Sequence, residues 1–350
     1  MSVLEVFEPD SAVLNKGTSG LKGRDFDNIN VAFLGGSVTY GYQPKAENNF
    51  CENNYTVLVA EHIEKIFKSK VNVKNLGISG TGSLMGLALT KRELVEFQPD
   101  IVFVEYAIND ERSALAAAQF EGLIRNLLSL EASPIVIVIA LFNKSGYSCE
   151  DIMLQTTMRY GLYFCGLKSV VYPLVCGSEE LWHEYSNDDG HPNESGHRII
   201  AECANAAVDT ALKTNFNPML LKALPKAIFG GDIYDGFDEL TKLSNINGFE
   251  PCSESFYKIK CPLFSKDNAV MSLKIKCRTL CVCYICTNNA DAGSAEIFTD
   301  GKKRSVLQGY SIFGWNNPMI KEILNENCKK LHNIEIKTCG KFYLAGIWAS

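Results

Sequence analysis

Five short, nearly continuous apolar runs alternate with stretches whose apolar residues recur at helical spacing, and this alternation limits the possible folds more than any other feature of the chain. The predicted strands are Ile29 to Leu34, Val71 to Asn75, which is the most polar of the five, Ile101 to Tyr106, Ile135 to Leu141 and Val170 to Val175. Between them, Val57, Leu58, Ile63, Ile66 and Phe67 predict a helix within Asn49 to Ser69, and similar patterns predict helices over Leu84 to Phe97 and Ala114 to Leu130. Ser148-x-x-Asp151 resembles a capping box and marks another helix start. A last helix starts near Asn193, with Ile199, Ile200, Cys203, Ala207, Val208 and Leu212 on one stripe. Strands that are apolar on both faces need cover on both faces, and each crossover helix supplies it. The expectation is a three-layer α/β/α sandwich with a five-stranded parallel sheet, whose ligands bind beyond the carboxyl ends of the strands.

At 350 residues the chain exceeds one comfortable core, and its texture changes after about Asn215. Asn217-Pro218 and Gly230-Gly231 punctuate it, and from Phe256 short alternating strands follow, including Ser272 to Lys276, Leu280 to Ile285, Ala295 to Thr299, Asn333 to Lys337 and Phe342 to Ile347. Asp300-Gly301 suits a tight hairpin turn. Two domains are expected: residues 1–215 as the α/β domain, and residues 216–350 as an all-β, jelly-roll-like sandwich that binds carbohydrate or completes the active site.

Composition narrows the partners. With 46% apolar and 21% charged residues and a net charge of −6, the chain lacks the basic stripe that nucleic acid requires. The longest apolar run, Ile135 to Phe142, is far short of the roughly 20 residues of a membrane span. No secretory signal is visible in Met1 to Lys22, and thirteen cysteines, an odd number, read as free thiols in the reducing cytoplasm. Cys277, Cys281, Cys283 and Cys286 lack paired C-x-x-C spacing and fit a strand better than a zinc site.

Four separated motifs carry the chemistry: Gly35-Gly36-Ser37-Val38-Thr39, Asn75-Leu76-Gly77-Ile78-Ser79-Gly80, Ala107-Ile108-Asn109-Asp110 and Asp188-Asp189-Gly190-His191-Pro192. Each follows a predicted strand, so all four converge on one rim. A serine hydroxyl is a poor nucleophile until a base removes its proton, and the base needs an acid to orient it. Ser37 supplies the hydroxyl, His191 the imidazole and Asp188 the carboxylate, at a spacing that lets it fold back in a tight turn; Asp189 is the second choice. His62 and His197 fall in helices where packing explains them, and His183 and His332 have no catalytic neighbourhood in the sequence. The Ser37 and Gly80 amides and the Asn109 side chain form a candidate oxyanion hole, although the glycines also serve as plain turn residues. No metal or organic cofactor is implied.

Together these motifs resemble the SGNH, or GDSL-type, hydrolase superfamily over about Ile29 to Lys213. The resemblance implies a flavodoxin-like catalytic domain in which Ser37 is the nucleophile, Gly80 and Asn109 bind the oxyanion, and Asp188 with His191 forms the D-x-x-H block. Two positions depart from the pattern. Gly36 stands where the family usually has Asp, which removes a carboxylate, and Ala107 stands where it usually has Gly, which is expected to narrow the pocket. The pairing of domains also resembles, more loosely, carbohydrate esterases of gut and rumen bacteria. That likeness implies hydrolysis of small acyl esters, acetyl foremost, on an acylated oligosaccharide. Trp315, flanked by Gly314 and Asn316, suits stacking on a sugar face; a core or interdomain tryptophan is the alternative. A lipid or general carboxylesterase, a sugar O-acyltransferase and a non-catalytic glycan-binding protein are the competing readings.

Overall fold

The structure is a computed structural model that describes residues 3–24, 28–44, 46–217, 224–241, 246–256 and 259–350. Pro218, part of the Asn217-Pro218 break, lies outside the described residues. Two compact units emerge, Met1–Gly231 and Asp232–Ser350.

The first unit is built on one sheet of strands β1 (Val13–Asn15), β2 (Ile29–Gly35), β3 (Val71–Gly77), β4 (Ile101–Glu105), β5 (Ile135–Ala140) and β6 (Tyr163–Gly166), in the order β1-β6-β5-β4-β2-β3. β2 to β6 are parallel, and β1 adds an antiparallel edge. Every residue of β4 and β5 is buried, as a sheet covered on both sides demands. In β2, Val31 and Phe33 share a core with Val59 and Ile63 of helix Tyr55–Phe67 and with Ile200 and Cys203 of helix Glu194–Lys213. Ala32 and Leu34, equally buried, alternate to the opposite face, where helices Ser83–Leu94 and Ala114–Leu128 pack together.

Three sequence expectations change. Val170 to Val175 is not a strand: Leu167–Val170 and Tyr172–Val175 are single helical turns, and the fifth parallel strand is Tyr163–Gly166. Pro173 has no amide to give to a central ladder, and the four-residue strand is too short to stand out as a run. The Ser148 capping box does not form. The helix begins at Glu150, Ser148 Oγ donates to Leu141 O (2.6 Å), and Asp151 is taken by Arg112. Finally, the units part at Gly231 rather than at 215. Arg125 Nη1 donates to Pro225 O (2.8 Å), and the buried Glu121 carboxylate accepts the amides of Ile228, Phe229 and Gly231 at 2.8, 2.8 and 2.9 Å.

The second unit is a largely antiparallel β-sandwich dominated by two 25-residue strands, Leu263–Thr287 and Trp315–Cys339. The predicted strands at 272–276 and 280–285 are two halves of the first, separated by a register shift between Cys277 and Thr279. Met271 and Cys277 on one side of that shift and Leu280 and Val282 on the other feed a single core. Cys281 and Cys283 are buried in the same strand. The hairpin at Asp300-Gly301 forms as expected, with positive φ at both residues, between Ser294–Thr299 and Lys302–Gln308. Among the described residues no helix is long and apolar enough to cross a membrane.

Candidate active site

The order of the sheet positions the site. β2 lies between β3 and β4, so the chain reverses its direction of winding there, and an α/β sheet opens a crevice at such a point. Ser37 follows β2 and Asn109 follows β4, side by side at that crevice. After β2 the chain enters a one-turn helix, Ser37–Tyr40. This turn is braced from both neighbouring strands. Asn75 Nδ2 donates to Thr39 O at 2.7 Å, and Thr39 Oγ1, 2.8 Å from Tyr55 Oη, donates to Glu105 Oε2 at 3.0 Å. Glu105 is fully buried at the end of β4, and burial pushes its carboxyl up to about 8 against the opposing hydrogen bond from Thr39.

Ser37 Oγ stands 3.0 Å from His191 Nε2, and His191 Nδ1 stands 2.7 Å from Asp188 Oδ2. The three-residue spacing closes the turn: Asp188 Oδ1 accepts the amides of Gly190 (2.8 Å) and His191 (2.6 Å). Partial burial would raise the Asp188 carboxyl, but hydrogen bonds from the His191 ring and these amides outweigh it and hold the group below the usual carboxylate range. Asp188 is therefore an acceptor, which makes Nδ1 the protonated ring nitrogen and leaves Nε2 free to accept from Ser37. The loop itself is pinned by Trp182 Nε1, which donates to Asp188 O at 2.7 Å, and by Ser186 Oγ, 2.9 Å from Asp188 O and 2.6 Å from His191 O. The Tyr42 ring stands edge-to-face with the imidazole, the ring centroids 4.7 Å apart. Asp189 points to solvent near Lys144 and does not approach the imidazole.

Asn109 packs against Gly36. A Cβ at position 36 would stand 2.4 Å from Asn109 Oδ1 and 3.1 Å from Nδ2, so the Gly36 departure creates the space the amide occupies beside Ser37. Ala107 is fully buried and presents no surface to solvent. Gly80 occupies a left-handed turn (φ 72°) after β3, a conformation that disfavours a side chain. Among the described residues neither the Ser37 nor the Gly80 amide has an acceptor, so both remain available to a ligand. Next to Asn109, Asp110 Oδ1 accepts the Ser83 amide at 2.7 Å, and burial pushes the Asp110 carboxyl up to about 6 against its bonds from Ser83.

The other histidines are engaged elsewhere. His62 meets Asp209, His183 Nδ1 lies 3.2 Å from Ser186 O, and His197 is buried against Tyr55, burial lowering it to about 4. His332 pairs with Asp300 in the second unit. Trp315 begins a long strand of that unit and is 38% exposed, which rules out a place in the unit's core. Sequence reasoning missed Thr39, Glu105, Ser186 and Tyr42. Glu105 alone left a trace, as the one charged residue of an otherwise apolar strand.

A doubly wound α/β unit with serine, imidazole and carboxylate in hydrogen-bonded series beside its switch point has the arrangement of a serine acylhydrolase. Residues 33–199, the stretch that holds Ser37, Asn109, Asp188 and His191, match the GDSL-like Lipase/Acylhydrolase family. Over its whole length the chain is similar in fold to a two-domain esterase active on acetylated mannans, with a TM-score of 0.83, 22% identity and 98% coverage of both chains. The same esterase co-crystallised with mannopentaose superposes equally well, with a TM-score of 0.83, 22% identity and 98% coverage of each chain. Comparison with curated protein sequences found no match.

Proposed function

We propose that the protein is a serine esterase that removes small acyl groups, acetyl foremost, from carbohydrate hydroxyls. The observation that carries this reading is the continuous series Ser37–His191–Asp188 at 3.0 and 2.7 Å. His191, oriented by Asp188, takes the Ser37 proton as the hydroxyl attacks the ester carbonyl. The Ser37 and Gly80 amides and the Asn109 side chain bind the tetrahedral oxyanion, each donor contributing about 3 kcal/mol to the transition state. His191 then protonates the leaving sugar hydroxyl, and water repeats the sequence on the acyl-enzyme. Substrate class rests on likeness: the chain shares its two-unit fold with an esterase active on acetylated mannans. Trp315, exposed on the second unit, is assigned to sugar stacking.

The test is acetate release from a panel of acetylated oligosaccharides, with p-nitrophenyl esters of graded chain length beside it. The reading predicts acetate release that Ser37→Ala lowers by about 10⁴-fold or more. Preference for octanoate over acetate, or undiminished turnover by Ser37→Ala, would contradict it.

A further inference from the structure

A cavity of about 710 Å³ opens among the segments that follow β4, β5 and β6 on the same rim, with Arg112, Ser145, Tyr147, Asp151 and Tyr172 among its walls. One wall is braced against the site on both sides. Tyr147 Oη donates to Asp110 O at 2.6 Å, one residue past Asn109, and Lys144 N donates to Asp189 O at 2.8 Å, one residue past Asp188. Adjacent strands lie about 4.8 Å apart, so a cavity over β5 and β6 begins roughly 10–15 Å from the strand that carries Ser37, within reach of a short oligosaccharide.

The lining indicates the ligand's chemistry. Its charged side chains are two cations, Arg112 and Lys168, and two anions, Glu150 and Asp151, so the walls carry no net charge. Both carboxylates are already committed: Asp151 takes Arg112 Nη1 and Nη2 at 2.6 and 2.7 Å, and Glu150 accepts Ser169 Oγ and the Lys168 amide (2.9 Å). With two cations against two anions, the walls give an ionic ligand no net attraction, whereas the Tyr147 and Tyr172 rings add apolar surface beside donors and acceptors. Apolar faces with a few convergent polar groups fit the C–H faces and hydroxyls of a pyranose. We propose that this cleft is a glycan subsite, holding neutral sugar units that flank the acylated unit at Ser37. The proposal rests on the carbohydrate-esterase reading above.

The test compares kcat/KM on p-nitrophenyl acetate, an acetylated hexose and an acetylated neutral tetrasaccharide for the wild type, Ser145→Trp, which fills the cleft, and Arg112→Ala, which removes donors. The wild type is expected to favour the tetrasaccharide over the hexose by at least about tenfold, through KM, and both variants to lower that ratio at least about fivefold. Turnover of p-nitrophenyl acetate reports folding in each variant. A wild type indifferent to chain length, or variants that both keep its preference, would overturn the subsite while acetate release from sugars left the esterase reading standing. Turnover of the aryl ester with neither sugar cleaved would defeat that reading, and the subsite with it.

Discussion

Glu105 shows how much of the site lies beneath the reacting atoms. It holds Thr39, two residues past the serine, from a fully buried position at the end of β4. Burial raises its carboxyl from 4.5 to about 8, so the folded state favours the protonated form. The associated stability is complete below the unfolded pKa and is lost as pH rises through about 8, a change of a few kcal/mol at roughly 1.4 kcal/mol per unit. Glu105→Gln, neutral at every pH, is expected to lose less stability than the wild type between about pH 5 and about pH 9, read from denaturant midpoints. Parallel losses in the two proteins would show that Glu105 is not the titrating group. At this same scale Gly36 explains a departure from the family pattern, since the missing side chain gives Asn109 its place.

The loop from Ser186 to His191 makes the corresponding point for elements. Its carboxylate closes on its own backbone, but Ser186 and Trp182 hold the loop's carbonyls from outside the motif. Ser186→Ala leaves the catalytic groups in place and frees the loop; a roughly tenfold loss of kcat with KM little changed is the expected outcome, measured on p-nitrophenyl acetate. Unchanged kcat would mean that the Asp188 turn suffices alone. Elements with strong periodicity were legible in the sequence: β2 to β5, their helices and the Asp300-Gly301 hairpin stand where the pattern put them. Ser37 was legible because it falls in a glycine-containing break after the apolar run Ile29 to Leu34, and Asp188 with His191 because of their three-residue spacing in a polar loop; that loop follows the helix Glu179–Tyr185, not a strand. The short strand Tyr163–Gly166 was not, because four residues carry little period and the more apolar run beside it contains Pro173. Ser186 and Thr39 were hidden for another reason: their partners are backbone carbonyls or distant side chains that only the fold brings near.

For the whole molecule, the boundary at Gly231 has an energetic cause. Glu121 is buried, and three of its hydrogen bonds come from residues 228–231. A chain ended at Gly231 is expected to hydrolyse p-nitrophenyl acetate and to melt as one cooperative unit. One ended at Asn215 strands a buried carboxylate, at a cost of about 3–5 kcal/mol, and is expected to melt roughly 10 °C lower. Equal melting temperatures would place the boundary earlier. Beneath all of this lies the claim that Ser37 is the nucleophile His191 activates, and covalent labelling tests it most directly. Treatment with a fluorophosphonate, followed by peptide mass mapping, should add one probe to the Ser37 peptide in the wild type and almost none in His191→Ala; an adduct on another residue, or full labelling of Ser37 without His191, would contradict the account.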